Sequence, residues 1–187
     1  MRLRLSSLYL IISVLVISIT SCKTPAGQAA RDLEQENLSK YIARYHPTVA
    51  PKASGLYFIE TKAPAPGADS IKKGDLVKVY YRGYLIEDDP VAGIQDGYMF
   101  DSSGEFEPFA FTVGQGQVIA GWDEGVQYMK DGSEAKLVIP SKLAYAGTAK
   151  PTIPAYSPLV FYITMYKVYR STDVWPTIEI RPKSLKY

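Results

Sequence analysis

The chain has 187 residues, enough for one ordinary domain with flanking pieces and a buried core. Its 21 Lys and Arg nearly balance 19 Asp and Glu, and a net charge of +2 is too weak a field to imply nucleic acid as a partner. Fifteen Tyr, 14 Gly and 13 Pro suit strands and turns better than a helical bundle.

In chain order, "MRLRLSSLYLIISVLVISITSC" opens with Arg2 and Arg4 and an apolar run from Leu8 to Ile17. This is the layout of a secretory signal over residues 1–21, too short and wrongly flanked for a spanning helix. Ile19, Thr20, Ser21 and Cys22 resemble a bacterial lipobox, which implies that Cys22 becomes the lipidated first residue of the mature protein. A mature domain processed in this way has no other thiol, hence no disulfide and no cysteine nucleophile. Residues 22–30 read as a lipidated tether. Residues 31–47 read as an amphipathic helix, with Leu38, Tyr41, Ile42 and Tyr45 at i, i+3, i+4 and i+7, stopped by Pro47. The stripe suits two partners, the helix's own domain or a second copy in a homodimer.

From Ser54 the period changes to two. "GLYFIETK" is a first strand, and "APAPGADSIKKGD" a turn-rich connection. "LVKVYYRGYL" sets Val77, Val79 and Tyr81 on one face, and "PFAFTVG" groups Phe109, Phe111 and Val113. "SEAKLVIP" aligns Ala135, Leu137 and Ile139, and "SPLVFYITMYKVY" aligns Leu159, Phe161, Ile163 and Met165. These half-buried strands predict an antiparallel sheet with one covered face. The cover is "GWDEGVQYMKDG", where Trp122, Val126 and Met129 repeat at helical spacing. The expectation is an α+β domain over 54–170, a curved antiparallel sheet wrapped on one short helix, with an extra N-terminal helix. The tail, 171–187, has only a hint of strand at "TIEI".

Five stretches in one order resemble the FKBP-type peptidyl-prolyl cis-trans isomerases: "VKVYYRGYL", "MFDSS", "PFAFTVGQGQVIAGWDEGV", "GSEAKLVIPSKLAYA" and "IPAYSPLVFYI". The resemblance runs from about Gly55 to Tyr169. It implies a pocket with Trp122 as floor and Tyr81, Phe100, Phe109, Val118, Ile119, Tyr145, Ile153 and Phe161 as walls. It further implies that Tyr145 donates its hydroxyl to a substrate carbonyl, that Asp101 orients Tyr81, and that Ile119 offers its backbone N–H. The sequence departs from the family pattern at Ala146, where glycine is common, at Pro154–Ala155, where two prolines are usual, and at Thr152. "IEDDPVAGIQDGY" looks like an insertion into a short hairpin, and its acids "EDDP" read as a solvated turn.

The implied activity is isomerisation of X-Pro bonds without covalent chemistry or cofactor, in proline-containing unfolded or exported polypeptides, with macrolides as further ligands. The implied place is the bacterial envelope, lipid-anchored and periplasm-facing, on the outer rather than the inner membrane. A non-catalytic chaperone or scaffold using the same pocket is the alternative. The only histidine, His46, sits beside Pro47 outside the expected domain, which argues against a histidine-based catalytic pair or metal site.

Overall fold

The computed structural model describes residues 27–172. The signal segment, Cys22 and "TIEI" lie outside the described residues. A six-stranded antiparallel sheet has the order β1–β5–β6–β2–β3, with β4 paired to β2. The strands are β1 (Tyr57–Lys62), β2 (Leu76–Asp89), β3 (Gly93–Ser102), β4 (Phe109–Thr112), β5 (Glu134–Ile139) and β6 (Leu159–Tyr169). Strand β2 is long enough to serve two partners: Leu76 to Val79 pair with β4, and Arg82 to Asp89 pair with β3. The sheet curves around a short helix, α2 (Ala120–Gly125), which tightens into a 3₁₀ turn over Val126–Tyr128.

The inner face follows the alternation of the sequence. Val77, Val79, Tyr81, Phe111, Val113, Ala135, Leu137, Ile139, Leu159, Phe161, Ile163 and Met165 all enter one buried cluster with Trp122, Val126 and Met129. Two glycines bring α2 close to the sheet. A Cβ on Gly121 would stand 2.5 Å from Ile139 Cγ2, and one on Gly125 2.5 Å from Leu137 Cδ1. Four residues apart, they lie on one helix face, and Trp122 is set beside that contact.

The outer face corrects the expectation of a sheet with one covered face. It is covered too, by the N-terminal helix α1 (Gln28–Tyr45), which buries Leu38, Tyr41 and Ile42 against Ile86, Ile94, Val138 and Val160. The helix starts three residues before the expected boundary, because Gln28, Ala29 and Ala30 are small or flexible enough to read as tether yet are good helix formers. It ends at Tyr45, where Pro47 follows within two residues. The apparent insertion is the long β2–β3 hairpin; Glu87, Asp88 and Pro90 in it are exposed, and the hairpin also seats α1. Lys40 pairs with Asp88 at 2.9 Å, Arg44 Nη1 donates to the Ala92 carbonyl at 2.8 Å, and Tyr45 Oη to the Ile94 carbonyl at 3.1 Å.

Docking of α1 also encloses a polar cluster. Lys136, 5% exposed, lies 4.9 Å above both the Tyr41 and the Tyr162 rings and 3.8 Å from Asp96. Asp96 accepts hydrogen bonds from the hydroxyls of Tyr41 and Tyr162. Burial lowers the Lys136 pKa, and Asp96 opposes that shift. His46 is therefore part of the packed unit rather than outside it. Burial, helped by the Lys136 charge, lowers its pKa.

At the opposite end, buried Asp75 closes the chain. Burial alone would raise its pKa, but the N–H groups of Lys72 (2.9 Å) and Ser171 (3.1 Å) and the Arg170 guanidinium (3.0 Å) outweigh that and hold it below the usual carboxylate range. A folded pKa below the unfolded value gives stability that is complete above about pH 4 and is lost as pH falls through the folded value. We expect Asp75→Ala to lower unfolding free energy at pH 7 by about 3 kcal/mol. The acid limb of its stability curve below about pH 4 should also be flatter than that of the parent, as read by urea titration across pH.

Candidate active site

The site grows from the turn that enters α2. Gly114 and Gly116 adopt left-handed φ values of 74° and 66°, which suit glycine, and their N–H groups donate to the two carboxylate oxygens of Asp123 at 2.9 and 2.8 Å. Asp123, in the first turn of α2, thus ties the turn to the helix. Val118 and Ile119 leave this turn, and the Ile119 carbonyl accepts from Trp122 and Asp123. The Ile119 N–H takes part in none of the turn's hydrogen bonds.

Above Trp122 lies a narrow apolar hollow lined by Tyr81, Phe109, Val118, Ile119, Trp122, Tyr145 and Phe161. The rings of Tyr81, Phe161 and Phe109 stand at 86°, 86° and 79° to the indole, with centroids 4.9, 5.1 and 6.1 Å away. Rings nearly perpendicular to the indole serve as walls, and the indole face is left as floor. The indole Nε1–H is buried and has no hydrogen-bond partner among the described residues.

The other expected site residues stand one layer back. Phe100 packs edge-on to Phe161 with centroids 5.4 Å apart, and Gly83 makes room for both, since a Cβ there would meet each within 2.8 Å. Ile153, 1% exposed, is core behind the wall rather than lining. Asp101, near the end of β3, reaches the hollow through Tyr81, whose hydroxyl donates to Asp101 Oδ2 at 2.6 Å. A second Asp101 oxygen accepts the Ser102 N–H at 2.9 Å. Burial, then the bond to Asp101, raises the Tyr81 pKa, so the phenol stays neutral at any working pH. Among the described residues no group of three or more His, Cys, Asp or Glu is arranged to hold a metal, and no helix is long and apolar enough to cross a membrane.

Two residues bonded to the segments around this site are absent from the sequence reading. Asp123, in the first turn of α2, is one, and its partners Gly114 and Gly116 lie in the preceding turn. Glu34, on α1, accepts from both the N–H and the hydroxyl of Ser141, 107 positions away, at 2.6 and 2.7 Å. No local pattern reports a contact of that separation.

Comparisons with known proteins agree with this geometry. The pattern of the FKBP-type peptidyl-prolyl cis-trans isomerase family matches residues 67–166. The human peptidyl-prolyl cis-trans isomerase FKBP2 is 42% identical over 105 residues, covering 55% of this chain and 68% of its own. An FK506-binding protein of Neisseria meningitidis serogroup C is 39% identical over 117 residues, covering 62% of this chain and 98% of its own. Among solved structures, a peptidyl-prolyl cis-trans isomerase of Pseudomonas syringae pv. tomato superposes with a TM-score of 0.62 at 30% identity, covering 77% of this chain and 96% of its own. FkpA of Escherichia coli gives the same TM-score and identity, covering 78% of this chain and 62% of its own. The chain belongs to the FKBP-type peptidyl-prolyl cis-trans isomerases and has their activity, the interconversion of cis and trans X-Pro bonds.

Proposed function

We propose that this member of the FKBP family turns proline-containing segments of unfolded or exported polypeptides in the hollow above Trp122, while a lipid on Cys22 holds it to the bacterial envelope, on the periplasmic side of the outer membrane. The observation that carries the site is the apolar hollow in which Tyr81, Phe109 and Phe161 stand around the indole of Trp122. A pocket of this shape and lining suits a proline ring.

Rotation about a peptide bond costs roughly 18–20 kcal/mol because resonance is lost midway. A dry pocket disfavours the planar, more polar amide relative to the twisted one, and groups fitted to the twisted form add binding that the ground state lacks. Tyr145 donates its hydroxyl to a substrate carbonyl, the Ile119 N–H meets a second carbonyl, and Asp101 fixes the Tyr81 ring and faces the turning amide. A millionfold acceleration needs only about 8 kcal/mol from these contributions together.

The test is cis–trans exchange of an X-Pro peptide followed with the purified chain, with and without FK506, the ligand named in several relatives. Acceleration blocked by FK506 is expected. A folded protein that leaves the exchange rate unchanged, yet still suppresses aggregation of unfolded chains, would favour the chaperone alternative. In cells, Cys22→Ser should move the protein from the membrane to the soluble fraction; persistence in the membrane fraction would remove the lipid anchor from the account.

A further inference from the structure

We propose that Glu34 and Arg31 of α1 are positioning residues for the isomerase site, acting through the loop over residues 140–156 that carries Tyr145. The proposal rests on the pocket reading above and adds the helix to it. Glu34 holds the start of the loop. Its two carboxylate oxygens accept from the N–H and Oγ of Ser141 at 2.6 and 2.7 Å, with Ser141 buried. Charge-assisted bonds of this length are among the stronger ones. The Ser141 carbonyl in turn accepts from the N–H groups of Ala144 and Ala146, both at 2.8 Å. These residues flank Tyr145, so the backbone on each side of it is tied to the residue that Glu34 grips.

Arg31 holds the far end. The Ala146 carbonyl accepts the Tyr156 N–H at 2.7 Å. The Tyr156 hydroxyl oxygen accepts from Arg31 Nη1 at 3.2 Å, and the guanidinium lies 5.3 Å above its ring. Ala146 and Tyr156, with φ of 50° and 59°, are the two non-glycine residues with positive φ among the described residues. Backbone in that region persists only where its surroundings hold it. Here the two strained residues are bonded to each other, and the pair is gripped at either end by one face of α1. This loop, inside the matched region, is thus held by a helix that lies outside it, since the match begins at residue 67.

The test uses the full chain and an X-Pro peptide. Glu34→Ala should lower kcat about tenfold with a smaller change in KM, as a misplaced hydrogen-bond donor would. Glu34→Gln should restore most of it, because the amide oxygen still accepts the Ser141 N–H. In a Tyr145→Phe background, Glu34→Ala should cost little further, since the group it positions is already gone. Arg31→Met leaves Glu34 in place and decides the matter if Glu34→Ala does not fold: it should lower kcat in the same direction, and only when Tyr145 is present. Folded variants with parental kcat, or losses of equal size with and without the Tyr145 hydroxyl, would overturn the proposal while the isomerase reading stands. An unaltered chain that gives no acceleration would overturn both.

Discussion

Trp122→Ala should lower kcat/KM by about a hundredfold or more and also lower unfolding free energy by about 3–5 kcal/mol. Both losses come from one position. Trp122 is 4% exposed, with Tyr81, Phe109, Phe111 and Phe161 around it, so truncation leaves a cavity in the middle of the inner core. It also removes the floor on which a proline ring would rest, and the three perpendicular walls lose the ring that spaces them. Trp122→Phe separates the two effects. It refills most of the volume and should recover more stability than activity, because a smaller ring gives a deeper, looser hollow. Chemical denaturation together with single-turnover exchange of an X-Pro peptide measures the pair. Equal recovery of both quantities in the phenylalanine variant would show that Trp122 contributes only packing.

Asp96→Ala should behave oppositely: a stability loss of about 3–5 kcal/mol with kcat of the folded fraction unchanged. The substitution leaves Lys136 buried beneath the Tyr41 and Tyr162 rings without its carboxylate, and both phenols lose their acceptor. A buried charge stranded in this way costs more than the pair contributes. Lys136→Met in the same chain should return much of the loss, because a flexible apolar side chain of similar length can fill the aromatic box. The outer-face cluster shares no residue with the hollow, so activity is the control. A loss of kcat in proportion to stability would mean that the cluster reaches the site, through the sheet or through α1 and its bonds to Ser141 and Tyr156.

The inner half of this molecule was legible from the sequence because it obeys simple periods. Val77, Val79 and Tyr81 alternate, Trp122, Val126 and Met129 repeat at helical spacing, and both sets meet in one core. Of the outer half only the helix and its Leu38, Tyr41 and Ile42 stripe were legible, and Lys136 shows why the rest was not. On β5 it sits between Ala135 and Leu137, where alternation places a solvent-facing residue. It is buried because α1 lies over it, a helix more than 90 residues earlier. The hairpin that seats α1 looked like an insertion, since its partner could not be seen from its own residues. Ile86 and Ile94 gain their meaning only once Leu38 and Ile42 are placed against them. Within the site, resemblance named Phe100 and Ile153 beside the lining residues; Phe100 packs on Phe161, and Ile153 is buried in the core. Resemblance gives a position in the chain and says nothing of which neighbour reaches the surface of the hollow.

The central claim, that a proline ring settles on the indole of Trp122, is tested most directly by the indole Nε1–H resonance of that residue, assigned with a Trp175→Phe variant. That N–H has no partner among the described residues, so it should report an arriving ligand sharply. Titration with an X-Pro peptide should shift this resonance in a saturable way, with nuclear Overhauser contacts from the proline ring protons to the indole, and FK506 should displace the peptide. An indole resonance that stays fixed while X-Pro exchange is accelerated would contradict the account and place the chemistry elsewhere on the sheet.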